Sequence, residues 1–196
     1  MKLSILIPTV VGRETEFERL TKYLRKQYTG DDVEILSLKD NKEISIGEKR
    51  NRLYNMAKGK FSVMIDDDDM VSEDYIPTIL SVLNDTIDCV GYFENCLING
   101  KQQRSVISLN CKGWMTNDPP INGTHYNRTP FFKVPIKTSI CKMVGVRDMR
   151  FGEDHDFAMR IHKYLNKEHF IYREMYFYRA DSLTVEQHNK RYGISN

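Results

Sequence analysis

No stretch of this 196-residue chain approaches the ~18 consecutive apolar residues that a membrane-crossing helix needs, so a protein that works in water is expected. The opening MKLSILIPTV has one lysine and an apolar run of about six residues, too short for a signal-peptide core, and it reads as a first strand. Cysteine is sparse: Cys89, Cys96, Cys111 and Cys141 show no C-x-x-C spacing, and the chain is larger than the disulfide-dense secreted scaffolds. Reduced thiols and a cytoplasmic setting are the simpler reading. A strong net charge is also missing, since the balance is only +2 with both signs mixed, which neither demands nor excludes a nucleic-acid partner. Internal repeats and low-complexity tracts are absent as well.

What is present is the length and patterning of one well-buried α/β domain. Residues 3–7 (LSILI) form a continuous apolar run ended by Pro8, as expected of a strand buried on both faces of a parallel sheet. Phe17, Leu20 and Leu24 recur at helical spacing between Glu14 and Gln27, and Gly30 closes that segment. A strand over 33–38 comes next, then a helix over 46–58 carrying Ile46, Arg50, Leu53 and Ala57 on successive turns, then the buried strand FSVMI at 61–65. Ser72 with Glu73 and Asp74 predicts a helix start running through Leu83. Farther on, YFENCLI and KQQRSVIS flank Asn99-Gly100, which predicts a tight hairpin and antiparallel strands. The stretch 112–136 holds four prolines with much Gly, Asn and Thr and reads as a long irregular segment. The expected fold is a mixed, mostly parallel sheet flanked by helices.

Asp66, Asp67, Asp68 and Asp69 directly follow the third strand, so they emerge at the sheet edge where open α/β folds place ligand crevices. Four adjacent carboxylates repel one another unless they are solvated or bridged by a cation. Hard divalent ions such as Mg²⁺ and Mn²⁺ prefer oxygen ligands of this kind. A calcium-loop reading is weak, because the glycine and the distal glutamate at the EF-hand spacing are missing. The bland alternative is a solvated acidic turn capping the next helix.

Taken in order, LSILIPTVVGR, Asp40, SIGEKRNRLYNMAKGKFSVMIDDDD and FGEDHDFAMRI resemble the family 2 glycosyltransferases of the GT-A fold over most of the chain. The block from Gly47 to Asp69 carries the most specific part of that resemblance. It implies a 1–180 domain, with 1–95 as the nucleotide-sugar half, 96–180 as the acceptor half and 181–196 as a tail. It implies donor contacts from Pro8, Thr9, Arg13, Asp40, Lys49, Arg50, Asp66 and Asp67, and a Mn²⁺ or Mg²⁺ ion on Asp68 with Asp66. Glu153-Asp154 is similar to the family's ED pair, whose aspartate is the general base of inverting transfer; the pair also suits a helix start above Phe157, Ile161 and Leu165. YRADSLT is similar to the family's tail, implicating Arg179 in phosphate contact and His188 as an additional ligand. HYNRTPFFKVPIK resembles an acceptor-side stretch, placing His125, Tyr126, Asn127, Arg128 and Lys137 there, with Trp114 able to stack on a sugar or anchor its loop. UDP is the commonest donor nucleotide among the look-alikes, with dTDP and GDP open.

Acceptors compatible with these motifs include a glycan, a small molecule, or a polymer such as modified bases in DNA. A nucleotidyltransferase would need a glycine-rich basic loop after the first strand, and VVGRETE has one glycine. A non-catalytic sugar- or nucleotide-binding protein would be expected to have lost the D-x-D or ED acids, and both are present. The sugar, the linkage and the oligomeric state have no signature in the chain.

Overall fold

The structure, a computed structural model, describes residues 1–180. The tail at 181–196, and with it His188, lies outside the described residues. The first half alternates as its periodicity predicts: β1 (Leu3–Val10), α1 (Glu14–Gln27), β2 (Val33–Asp40), α2 (Ile46–Met56) and β3 (Phe61–Met64). β1 lies between β2 and β3 and pairs with both in parallel, which is why it and β3 are almost wholly buried and mostly apolar. Pro8 does not end the strand as expected but pairs opposite Leu38 inside β1. Leu3 turns its N–H to Asp32 beside β2, and Leu6 turns its carbonyl to Ile65 beyond β3, so even-numbered residues of β1 face β3. The β1–β3 ladder stops at Leu6 and Met64. The N–H that Pro8 lacks therefore falls where no strand requires it.

After β3 come β4 (Met70–Val71) and α3 (Tyr75–Val82). Asp74, not Ser72, occupies the cap of α3; the Ser72 N–H is instead committed to the Met175 carbonyl at 3.1 Å. β5 (Cys89–Ile98) and β6 (Lys101–Ile107) form the expected hairpin, with φ of +53° at Asn99 and +72° at Gly100. The segment expected to be irregular contains a second hairpin, β7 (Met115–Ile121) and β8 (Thr124–Arg128), turned by Asn122-Gly123. Pro119 and Pro120 are compatible with β7 because that strand is the outer edge of the sheet. The chain continues through β9 (Ile136–Lys137), α4 (Thr138–Val144), α5 (Glu153–Ile161), a 3₁₀ turn at His162–Tyr164 and the long β10 (Glu168–Ala180).

Strand order is β2-β1-β3-β9-β5-β6-β8-β7, with β10 beside β5 and β4. By paired length the sheet is mostly parallel, through the β1–β2 and β5–β10 ladders, and the hairpins make it mixed. α1 packs on α3, while α2, α4 and α5 form a second group. Among the described residues no helix is long and apolar enough to cross a membrane.

The loop at 146–149, which leads toward α5, is strapped to α2. Asn51 Oδ1 accepts the Val146 N–H at 2.7 Å, the Gly47 N–H reaches the Met149 carbonyl at 3.3 Å, and the Ser45 hydroxyl bonds Asp148. A β-carbon on Gly47 would lie 1.9 Å from the Arg147 carbonyl oxygen. Gly47→Ala is therefore expected to destabilise the fold by about 1–3 kcal/mol through overpacking, read as a lower urea midpoint at unchanged slope. An unchanged midpoint would show that this loop does not rest on α2.

Candidate active site

β1 and β3 run in parallel, so their C-terminal ends deliver Thr9–Arg13 and the aspartate run to the same sheet edge. The four acids look equivalent in sequence, but a turn closed by the Asp69 N–H on the Asp66 carbonyl (3.0 Å) sorts them. Asp67 and Asp69 are buried, Asp66 is half-buried, and the Asp68 side chain is 49% exposed. The Thr9 hydroxyl donates to Asp67 at 2.6 Å, and Arg13 Nη1 spans Asp67 (2.7 Å) and Asp68 (3.0 Å). The first-strand loop and the aspartate run thus form one unit. Lys49, buried on α2, donates to the Thr9 carbonyl at 2.7 Å and ion-pairs with Asp40 at the end of β2. Burial works against a charged Asp40, but Lys49 and the Ile44 N–H outweigh it and hold the carboxyl below its usual range.

Arg50, one residue on, is buried flat against Phe132, its guanidinium carbon 3.7 Å from the ring centroid. Nη1 lies 3.2 Å from Asp66 and Nε 3.5 Å from Glu153. A single cation therefore joins the aspartate run to the ED pair. Burial disfavours the charge on Arg50, and the two acids more than restore it. Burial likewise opposes charge on Asp66, yet Arg50 and Lys133 hold its carboxyl below the usual range. Glu153 goes the other way: its burial, only partly offset by Arg50, raises it. Asp154 is half-buried at the first turn of α5, where its carboxylate accepts the His155 N–H at 2.7 Å. Glu153, Asp154 and Asp156 all sit in that turn, at the positive end of the helix dipole.

Sequence reasoning did not find Lys133. This buried lysine lies 3.2 Å from both Asp69 and Glu94, with its ammonium 4.6 and 4.0 Å from the ring centroids of Tyr176 and Tyr178. Tyr176 donates its hydroxyl to Asp69 at 2.6 Å and accepts the Asp66 N–H at 3.3 Å. Burial works against the lysine's charge, but the two carboxylates raise it well above the ordinary lysine range; Asp69, the more deeply desolvated acid, is pushed up to about 6. The available signal was a lysine inside the apolar run FFKVP, a position that needs a buried counter-charge.

On the proposed acceptor side, Trp114 packs edge-on against Phe131 (5.1 Å) and His155 (5.4 Å), which brings it beside Asp154. Arg128 stacks on Trp114 and on Tyr126, 4.8 Å from each centroid. His125 sits near Tyr126 and accepts the Arg104 N–H through Nδ1 at 3.2 Å. Two residues are not brought in. Lys137 pairs with Phe61 at the start of β3, the end opposite the aspartates, and bonds Asp88 at 2.9 Å. The position transferred by resemblance fails there because β9 runs antiparallel to β3 and carries Lys137 to the far edge. Arg179 is exposed, and strand alternation turns it to the face of β10 opposite Tyr176 and Tyr178, away from the aspartates.

Among the described residues no three His, Cys, Asp or Glu side chains converge on a metal-holding point. A magnesium-like ion bound by one or two carboxylates plus substrate phosphates does not need three. Asp68, the exposed member, is placed to hold such an ion. Asp66, whose Oδ1 is committed to Arg50, could offer its other oxygen to the same ion. The donor set is all hard oxygen, and carboxylates outnumber cations around it, so the residues fit a divalent cation.

No family model and no curated protein matches the chain. Solved structures do. Residues 1–349 of S. aureus TarS in complex with UDP match at TM-score 0.70 and 17% identity, over 97% of this chain and 63% of that one. The same fragment in complex with UDP-GlcNAc matches at 0.67 and 18%, over 94% and 60%. The mannosyltransferase PcManGT from Pyrobaculum calidifontis, in complex with GDP-Man and Mn²⁺, matches at 0.60 and 12%, over 97% and 59%. This chain thus spans about 60% of the length of each, and 37% of a longer TarS chain. At such identities the likeness establishes the fold, and it is the GT-A fold that the sequence motifs resemble.

Lys133→Met leaves Asp69 and Glu94 buried against each other without a cation, and is expected to cost about 3–5 kcal/mol of unfolding free energy. Adding Asp69→Asn and Glu94→Gln should recover much of that loss in urea melts. A Lys133→Met protein as stable as wild type would show that the buried triad is not what holds this edge together.

Proposed function

We propose that the chain is a metal-dependent inverting glycosyltransferase that moves a sugar from a nucleotide-diphosphate donor, UDP-linked, to an acceptor hydroxyl. The observation that carries this reading is Arg50 holding Asp66 and Glu153 at once, because it sets a donor-side acid and the ED pair at a fixed separation on one sheet edge. The neighbouring folds bound to UDP, UDP-GlcNAc and GDP-Man with Mn²⁺ support the donor class.

In this reading residues 1–95 hold the donor and 96–180 form the acceptor half. The loop from Pro8 to Arg13 and the Asp40 carboxylate take the base and ribose, with Lys49 fixing Asp40 against the Thr9 carbonyl. Arg13, which spans Asp67 and Asp68 here, turns its remaining donors to the diphosphate. A divalent ion on Asp68 and Asp66, when bound, neutralises the charge that builds on the leaving diphosphate. Asp154 accepts the proton of the acceptor hydroxyl as its oxygen attacks the anomeric carbon; the bond to the diphosphate breaks on the opposite side, and one in-line displacement inverts the centre. Glu153 is buried against Arg50 and positions Asp154 without touching the acceptor.

Two measurements test this. UDP with Mn²⁺ at about a hundredfold over Kd should raise Tm by on the order of 5–10 °C, and Asp68→Ala should abolish the metal-dependent part. Asp154→Asn should lower the rate of UDP release from the donor sugar by about 10²–10⁴ while leaving the nucleotide-induced Tm shift intact. If no nucleotide stabilises the wild-type protein with or without metal, the transferase reading fails. If Asp154→Asn keeps its rate, the base is another group.

A further inference from the structure

Arg128 closes β8 and points its guanidinium into an aromatic seat. Trp114 and Tyr126 both lie against it, each ring centroid 4.8 Å from the guanidinium carbon. Both of its hydrogen bonds leave from Nη1, to the Met115 carbonyl (2.9 Å) and the Asn127 carbonyl (3.0 Å). Among the described residues no carboxylate lies within ion-pair distance of it, which separates Arg128 from the other cations of this edge: Arg13, Lys49, Arg50 and Lys133 each hold an acid. Its surroundings agree with that isolation. Burial lowers its pKa, and the fields of Glu94 and Asp154, too distant to pair, do not make up the loss.

A half-buried guanidinium held by two rings and two carbonyls keeps its planar fork oriented, with little side-chain entropy left to lose on binding an oxyanion. The same seat contains a second unsatisfied group. Trp114 Nε1 is buried without a hydrogen-bond partner among the described residues. Trp114 also packs on His155, the residue after Asp154, so the seat and the proposed base share one wall.

We infer that Arg128 is an anion seat on the acceptor side, and that the acceptor hydroxyl is carried by a molecule bearing a phosphate or carboxylate group. This rests on the reading of Asp154 as the base that faces the acceptor. The anion sits on the Arg128 fork, with the Trp114 face beside it, while the hydroxyl extends toward Asp154. A neutral glycan would leave the guanidinium desolvated and uncompensated, so the site discriminates against it.

Trp114 is the one tryptophan in the sequence, and its emission reports the seat directly. The experiment titrates glycerol 3-phosphate, glycerate and glycerol into the full chain at constant ionic strength, with and without saturating UDP and Mn²⁺. The expected result is a saturable change with an anionic probe and none with glycerol. Glycerol 3-phosphate binding more tightly identifies a phosphate acceptor, and glycerate binding more tightly a carboxylate acceptor. Affinity should be unchanged by UDP and Mn²⁺ and at least tenfold weaker in Arg128→Gln. Arg128→Met, which keeps the packing against the rings, supplies a folded variant without the charge if Arg128→Gln melts early. No saturable change, equal affinity in the charge-free variant, or competition by UDP would each overturn the inference, the last by assigning Arg128 to the donor diphosphate. Failure of the donor reading appears separately, as a missing UDP-induced Tm shift.

Discussion

Arg50 has to be buried for this sheet edge to exist in its present form. Its guanidinium lies on Phe132 and reaches both Asp66 and Glu153, acids that are far apart in the sequence. Carrying an arginine into the interior is costly unless its charge is answered, and two acids next to an aromatic face answer it. The arrangement also explains the anchoring of α2. Leu53 and Tyr54 fix the next turn of that helix in the core, which leaves Arg50 no freedom to swing out to water. Ser45, Gly47 and Asn51 use the same helix to hold the loop that leads into Glu153. The aspartate edge and the Glu153-Asp154 pair are therefore referenced to one rigid element, which the proposed transfer reaction, sensitive to placement, would require.

Lys133 plays the complementary part from the other half of the chain. It enters just before β9 and neutralises Asp69 together with Glu94 of β5, so the inner members of the aspartate run are held by buried cations and hydroxyls. Asp67 is held by Thr9 and Arg13. Once those two are tied inward, the turn leaves Asp68 to solvent. The D-x-D spacing is thus a consequence of which side chains the core can satisfy.

Much of the first half was legible in the chain because one face of each helix and both faces of β1 and β3 are buried, and periodicity reports burial. α1 falls on the residues that its spacing predicts, and β3 within one residue of its expected end. The second hairpin was missed although Asn122-Gly123 repeats the very dipeptide that revealed the first; the neighbouring prolines read as irregular backbone, when they mark an edge strand. Lys133 and Glu94 could not be paired from sequence, since their contact is set only when β5 and the chain before β9 meet. Lys137 shows the opposite error: a short stretch carried over by resemblance holds its order along the chain but not the end of the sheet on which it lands. Arg179 fails by parity, one residue away from the tyrosines that do face the site.

The electrostatics of the edge also constrain how a donor can be held. Asp40, Asp66, Asp67, Asp68, Asp69, Glu94, Glu153 and Asp154 outnumber Arg13, Lys49, Arg50, Arg128 and Lys133 along this edge, and the buried Lys49, Arg50 and Lys133 are already committed to internal acids. A nucleotide diphosphate brought to this edge adds like charge, and two unit charges 4 Å apart repel by roughly 4 kcal/mol at an effective dielectric near 20. Arg13 can turn its remaining donors toward the diphosphate, but its charge is already shared with Asp67 and Asp68 through Nη1. A divalent cation on the exposed Asp68 offsets part of that negative charge without disturbing Arg50 or Lys133. The acids that look excessive in the bare chain become the means by which an anionic donor is admitted, so under the proposed reading nucleotide and metal binding must be thermodynamically linked.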